Sequence, residues 1–204
     1  VSSCWWPASA AHHCRSDVIE LDLAFDAKAL TLNDGAPGEL VDEGIWAGEL
    51  SLWIETMRMD PSISCPSCLR MADEVSLGLR FTDDATIREL NGAWRQRDES
   101  TDVLSFANLD GESNWPRAGS VEPACVELGD IVISVDTASR QAEEHQHSLG
   151  HELRWLVSHG LLHLLGWDHP DDASLQAMLS QQERLLENGG SVQSHCVRTV
   201  DAEL

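Results

Sequence analysis

A chain of 204 residues is longer than a minimal domain and shorter than two comfortable ones, so one compact domain with an appendage is expected. Its 42% hydrophobic and 24% charged residues exclude collagenous, mucin-like and wholly disordered classes and allow a sizeable buried core. Thirty-five acidic against 13 basic residues, a formal net charge of −22, argue against wrapping nucleic acid non-specifically or docking on anionic lipid, so a phosphate-bearing partner must be met locally.

Residues 1–16 show neither helical nor strand period and read as a variable leader. They lack the basic and apolar regions of a secretory signal, so the cytoplasm is the expected location. From Ile19 to Phe25 apolar and polar residues alternate, predicting a strand. After the turn-rich Asn33-Asp34-Gly35-Ala36-Pro37-Gly38, apolar residues from Leu40 to Met57 recur at three and four, predicting an amphipathic helix of about five turns that Pro61 ends. A loop over Pro61–Ser67 precedes a second alternating strand, Glu74–Phe81. Thr82-Asp83-Asp84 caps a helix carrying Ile87, Leu90 and Trp94. Asp102–Ala107 is a third strand, Asn108–Ala124 a long loop, and Leu128–Val135 a fourth strand. Asp136 is read as the cap of a polar helix reaching His145. Leu149–Leu165 is apolar almost all round, as a central buried helix should be. A last helix, Asp172–Glu187, stops at Asn188-Gly189-Gly190. The order β-α-β-α-β-β-α-α-α predicts an α+β fold: a single mixed β-sheet of about four strands packed with about five helices. Arg, Asp or Glu interrupts every apolar stretch before it reaches the roughly 18 residues a bilayer needs, so no membrane partner is expected.

The chemistry concentrates in HGLLHLLGWDH, residues 159–169. Helical residues four apart differ by about 40° in rotation and about 6 Å along the axis, so His159 and His163 can aim imidazoles at one point. Gly166 suits a left-handed helix end, after which the chain can bring His169 back toward them. Three imidazoles with one open position are the ligand set of a catalytic metal, not of a closed structural one. A bland alternative, two core histidines and a turn histidine, would require each buried imidazole to find a hydrogen-bond partner. The spacing equals that of the metzincin proteases, H-E-x-x-H-x-x-G-x-x-H, but Gly160 stands where their general-base Glu belongs. Peptide hydrolysis by that route is therefore disfavoured.

The same string resembles the YbeY endoribonucleases, as do Glu89-Leu90-Asn91-Gly92-Ala93-Trp94-Arg95 with Thr101-Asp102-Val103-Leu104-Ser105-Phe106, and Leu128-Gly129-Asp130-Ile131-Val132-Ile133-Ser134. The resemblance runs over about residues 18–188, within an expected domain of 17–190 that leaves 191–204 as a C-terminal tail. It implies a metzincin-like mixed sheet around the metal helix. It also implies single-strand-directed RNA cleavage in ribosomal RNA processing, including small-subunit 3′-end maturation, and in ribosome quality control. His159, His163 and His169 would bind the metal, with His159 also counted as catalytic. The ion is expected to be one Zn2+ per chain; imidazole ligands also suit Ni2+ and other divalent ions. Arg95 matches the family arginine, and its planar guanidinium would stabilise charge developing on the phosphoryl group.

The implied chemistry is a metal-bound water acidified from 15.7 toward about 7. Direct attack on phosphorus and general-base action on the ribose 2′-hydroxyl both remain open. RNA and a ribosomal or ribosome-associated protein are the expected partners; DNA is not. The competing readings are a metal-dependent hydrolase of another substrate and a non-catalytic ribosome-assembly factor with a structural metal.

Weaker signals remain. Asp168 is read as a partner for an imidazole N–H or as a turn former. Cys65-Pro66-Ser67-Cys68 has C-x-x-C spacing but no second pair to complete a zinc site, so a chance loop pairing with reduced thiols is expected. His145, His147 and His151 are read as solvated helix-face residues, one of which could reach the metal site. Arg70, Arg80, Arg88, Arg95 and Arg97 could form a local basic lip. Acidic residues interleave with them and no basic-aromatic stripe appears, so weak intrinsic RNA affinity with specificity from a ribosomal partner is expected.

Overall fold

The computed structural model of the protein describes residues 19–31, 38–108 and 125–188. The expected leader, the turn over residues 33–37, the loop over 109–124, the glycine pair 189–190 and the tail lie outside those residues. In chain order the elements are β1 (Glu20–Asp26), α1 (Lys28–Thr31), a 3-10 turn (Gly38–Val41), α2 (Glu43–Met59), α3 (Ser67–Met71), β2 (Glu74–Thr82), α4 (Asp84–Arg95), β3 (Val103–Ala107), β4 (Cys125–Ser134), α5 (Val135–Glu144), α6 (Leu149–Leu164) and α7 (Asp172–Asn188).

The four strands form one sheet in the order β1-β2-β4-β3. β1, β2 and β4 run parallel and β3 runs antiparallel to β4, so the expected mixed α+β sheet is present. β2 and β4 are central, and the run Ile131–Ser134 is buried on consecutive residues, as a strand covered on both faces should be. Leu79 pairs with Ile131, and Ile131 with Ser105, which puts these three on one face; that face receives α6. Leu104 and Val132 pair on the other face and meet Ile87 of α4.

Trp46, Leu50, Trp53, Ile54 and Met57 of α2 are all buried in the main core. The three- and four-residue spacing gathers them on one stripe, and each side chain contributes about 1.5–3 kcal/mol by leaving water. α7 adds Met178 and Leu185 to the same core.

Four expectations change in detail. The long helix read from Leu40 is divided: Asp42 caps α2 by accepting from Gly44 N–H at 2.8 Å, and Leu40 belongs to the 3-10 turn, where its carbonyl accepts from Trp46 Nε1. α1 and α3, of four and five residues, are too short to show a period, so they were not predicted. β4 begins at Cys125 rather than Leu128. The cap of α5 is Ser134, whose Oγ accepts from Thr137 N–H at 3.2 Å; Asp136 instead accepts from Asp84 N–H at 3.0 Å, tying α5 to the start of α4. Among the described residues no helix is long and apolar enough to cross a membrane.

Candidate metal centre

α6 runs along the sheet with no room to spare. A Cβ on Gly160 would stand 2.8 Å from Ile131 Cγ2 and 3.1 Å from Ser105 Oγ, so the position next to His159 faces the sheet and a side chain there would have to displace Ile131. His159 and His163 lie away from that contact, half-buried. Gly166, with φ 83°, ends the helix: its N–H donates to the His163 carbonyl at 2.9 Å and that of Trp167 to Leu162 at 3.0 Å. This left-handed turn satisfies the last carbonyls of α6 and reverses the chain.

The reversal brings His169 back over the helix. Ring centroids of His159 and His163 are 4.7 Å apart, of His163 and His169 5.3 Å, and of His159 and His169 5.6 Å. One ring nitrogen from each of the three lies within 4.8 Å of the others. His159 and His163 approach through their Nε2 atoms at 3.1 Å. Bonds of about 2.0–2.1 Å at a tetrahedral angle would hold two nitrogens roughly 3.3 Å apart, so the donor set fits a small divalent cation.

The protonation of the imidazoles fits as well. Burial lowers His159 to about 4, and the neighbouring His163 and His169 push the same way. His163 is also lowered, first by burial, then by His169, with Arg95 contributing. Both rings are therefore neutral at neutral pH, with a lone pair to offer. Gln182 of α7 helps choose which lone pair. Its amide nitrogen donates to the Trp155 carbonyl at 2.7 Å, which turns Oε1 toward His159 Nδ1 at 3.3 Å. With Nδ1 donating to Gln182, Nε2 of His159 is left to face the cluster. Asp102, just before β3, acts on His159 to oppose the downward shift and is itself held by Gln141 Nε2 at 3.1 Å.

Sequence reasoning missed Gln182 and Asp102. Gln182 sits 23 residues from His159 in an otherwise ordinary amphipathic helix, and nothing in its spacing marks it. Of the two readings of Asp168, imidazole partner or turn former, the hydrogen bonding matches the second: it accepts from the backbone N–H of His169 at 2.8 Å. It thereby fixes the third histidine through its main chain.

Arg95 occupies the last turn of α4, which Gln96 closes at φ 60°. It is exposed and near enough to His163 to depress that imidazole. Trp94 beside it is 70% exposed and stands edge-on to Phe106, centroids 5.7 Å apart.

A family model described as Endoribonuclease YbeY matches residues 61–190. The chain belongs to the YbeY endoribonuclease family. The Endoribonuclease YbeY of Synechococcus sp. (strain CC9902) is 54% identical over 185 residues, covering 91% of this chain and 100% of that protein. That of Parasynechococcus marenigrum (strain WH8102) is 57% identical over 183 residues, covering 90% and 96%. A solution structure of TM1509 from Thermotoga maritima aligns at 21% identity and a TM-score of 0.47, covering 84% of this chain and 89% of that one.

The other sequence signals fall away from the three-histidine cluster. The basic lip is only partly present. Arg70 is spent on the carbonyls of Arg58, Asp60 and Ile63. Arg80 lies 3.8 Å from Asp26 and Arg88 pairs with Asp98 at 2.7 Å. Among the described residues Arg95 and Arg97 are the two of the five with neither an ion pair nor a side-chain hydrogen bond. Cys65 and Cys68 flank the start of α3; burial pushes the Cys65 thiol up to about 11 and raises Cys68 too, so both stay protonated and unreactive. His145 and His147 are not on a solvated helix face but at the α5–α6 corner, where they gather around Glu152.

Proposed function

We infer that this chain is a metal-dependent endoribonuclease acting in ribosomal RNA processing, with its metal on His159, His163 and His169. The observation that carries the reading is the convergence of one nitrogen from each imidazole within 4.8 Å in a chain matched by the Endoribonuclease YbeY model. The bound ion, taken here as one Zn2+ per chain, supplies Lewis acidity that brings the pKa of water into the neutral range.

The chain's own residues do the rest. Gln182 keeps His159 Nδ1 occupied so that Nε2 faces the cation, and Asp168 sets the His169 backbone. Arg95 is exposed and unpaired among the described residues, so its planar fork is available to a phosphodiester and to the charge that grows on it during cleavage. Its neighbour Trp94 offers an aromatic face on which an unpaired base can stack, which favours single-stranded RNA.

Net charge of −22 and the internal commitments of Arg70 leave little basic surface for tight RNA binding. Specificity for the small-subunit rRNA 3′ end and a part in ribosome quality control therefore call for a ribosomal or ribosome-associated protein partner. The cytoplasm is the corresponding location. Residues 17–190 are assigned as the catalytic domain, between a leader of 1–16 and a tail of 191–204.

The test is metal-stripped protein reconstituted separately with Zn2+, Ni2+ and Mn2+ and assayed on single-stranded RNA, duplex RNA and casein. Cleavage of single strands alone, restored best by Zn2+ and absent in a His163→Ala variant, is the expected result. Cleavage of casein but not RNA would overturn the reading in favour of another hydrolase. Collapse of folding in His163→Ala, in place of lost cleavage at an unchanged melting temperature, would leave the metal structural.

A further inference from the structure

The corner between α5 and α6 holds a second group of ligand atoms. His145 closes α5, its N–H donating to the Gln141 carbonyl at 2.9 Å, and His147 N–H reaches back to Ala142 at 3.0 Å. Between them Gln146 takes a left-handed backbone, φ 58°, so the two rings stack at 5.6 Å with 29° between planes. Ser148 then caps α6, and Glu152 sits one turn in, its N–H on the Ser148 carbonyl at 3.1 Å. Both sides of the cluster are thus fixed by helix-end hydrogen bonds.

His147 Nε2 lies 2.9 Å from Glu152 Oε2 and His145 Nδ1 lies 3.9 Å from the same oxygen. All three ligand atoms are within 4.8 Å of one another. The Glu152 side chain is only 1% exposed, and a buried carboxylate needs a compensating positive charge. His147 Nδ1 is 3.3 Å from the Ser148 carbonyl, a backbone acceptor that orients the ring. With Nδ1 turned to that carbonyl, Nε2 of His147 is the ring nitrogen that faces the Glu152 carboxylate. Two imidazoles and one carboxylate, with one imidazole anchored to a backbone carbonyl, are a zinc-class donor set with its usual outer support.

We propose that His145, His147 and Glu152 form a second divalent-metal site, taking a zinc-class ion, that fastens the α5–α6 corner at the start of the helix bearing His159 and His163. Seven residues separate Glu152 from His159, about 10.5 Å along the helix axis. A paired two-metal centre has its ions about 3.5–4 Å apart, so the second ion takes no part in cleavage.

The experiment is a count of metal, not of RNA cut, so its outcome is separable from that of the proposed function. Tag-free protein, stripped by chelation, is titrated with Co2+ and followed by visible absorption and by mass spectrometry. Wild type takes two equivalents, His147→Ala one, and His163→Ala/His169→Ala one, the last with a tetrahedral Co2+ spectrum from a cluster that carries no substitution. His145→Ala, on the more exposed of the two imidazoles, supplies the same reading should His147→Ala not fold. RNA cleavage by His147→Ala with Zn2+ stays within about twofold of wild type. One equivalent in wild type and none in His163→Ala/His169→Ala overturns the proposal and leaves an imidazolium–carboxylate ion pair at the corner.

Discussion

The two ends of α6 gather histidines in different ways. At its C-terminal end three imidazoles meet without a carboxylate among the ligand atoms, two half-buried and His169 exposed, with Gln182 at the back of one ring and Arg95 nearby. At its N-terminal end two imidazoles close over a carboxylate that is almost wholly buried. Neutral ligands would leave a bound dication with its full charge, whereas a carboxylate ligand would cancel part of it. Position adds to the contrast, since the C-terminal cluster lies beside Arg95 while the N-terminal cluster lies in a helix corner fixed by capping bonds.

The contrast can be broken most directly at the C-terminal end. His163→Ala should reduce RNA cleavage to background while His147→Ala does not, measured with the same metal-reconstituted protein. Arg95→Ala should lower kcat by about 10²–10³-fold with metal content and Tm unchanged, the size found for removing one donor to developing charge. Arg95→Lys should restore only part of it, because an ammonium lacks the planar fork; full restoration would reduce Arg95 to a point charge.

Gln182→Ala should weaken metal binding at the C-terminal cluster by about 10–100-fold, read by chelator competition, and leave the N-terminal cluster alone. Gln182→Glu, which keeps the acceptor but loses the donation to the Trp155 carbonyl, should restore only part of it.

A difference in pH response follows from the lowered imidazoles. In unfolded chain His159 takes up a proton near pH 6.5, and in the folded metal-free protein only near pH 4. Between those values the unfolded state binds more protons, so the metal-free protein loses stability as pH falls through 6.5 toward 4, on the order of 2–3 kcal/mol from this group. Urea unfolding at pH 7 and pH 4.5 measures it, and the fall should shrink in a His159→Leu variant. The smallest effect is expected at Gly160, where alanine gains roughly 1 kcal/mol of helix propensity but must push Ile131 aside. A net loss of about 1 kcal/mol by the same assay would show that α6 cannot move off the sheet; a gain would show that it can.

The candidate site was partly legible in the chain. His159 and His163 could be paired from helical spacing, and Gly166 could be read as the turn that returns His169, because these relations are local and governed by one helix. β1 and β2 were legible through alternation, and β4 through a short apolar run. What escaped was set by contacts between distant segments: Gln182 reaches His159 from another helix, and Asp136 serves α4 rather than its own helix. Arg70 reads as surface charge until its carbonyl partners are placed. His145 and His147 looked solvated because Glu152, on the next helix, has no period linking it to them.

The sequence by itself determined the element order, the amphipathic faces and the triad's spacing, since backbone periodicity and capping chemistry act over a few residues. The tertiary structure alone decided which face of α6 meets the sheet, which side chain orients His159, and that two imidazoles close on a buried carboxylate. Those outcomes depend on burial and on pairings across more than one element, where packing and desolvation outweigh local preference.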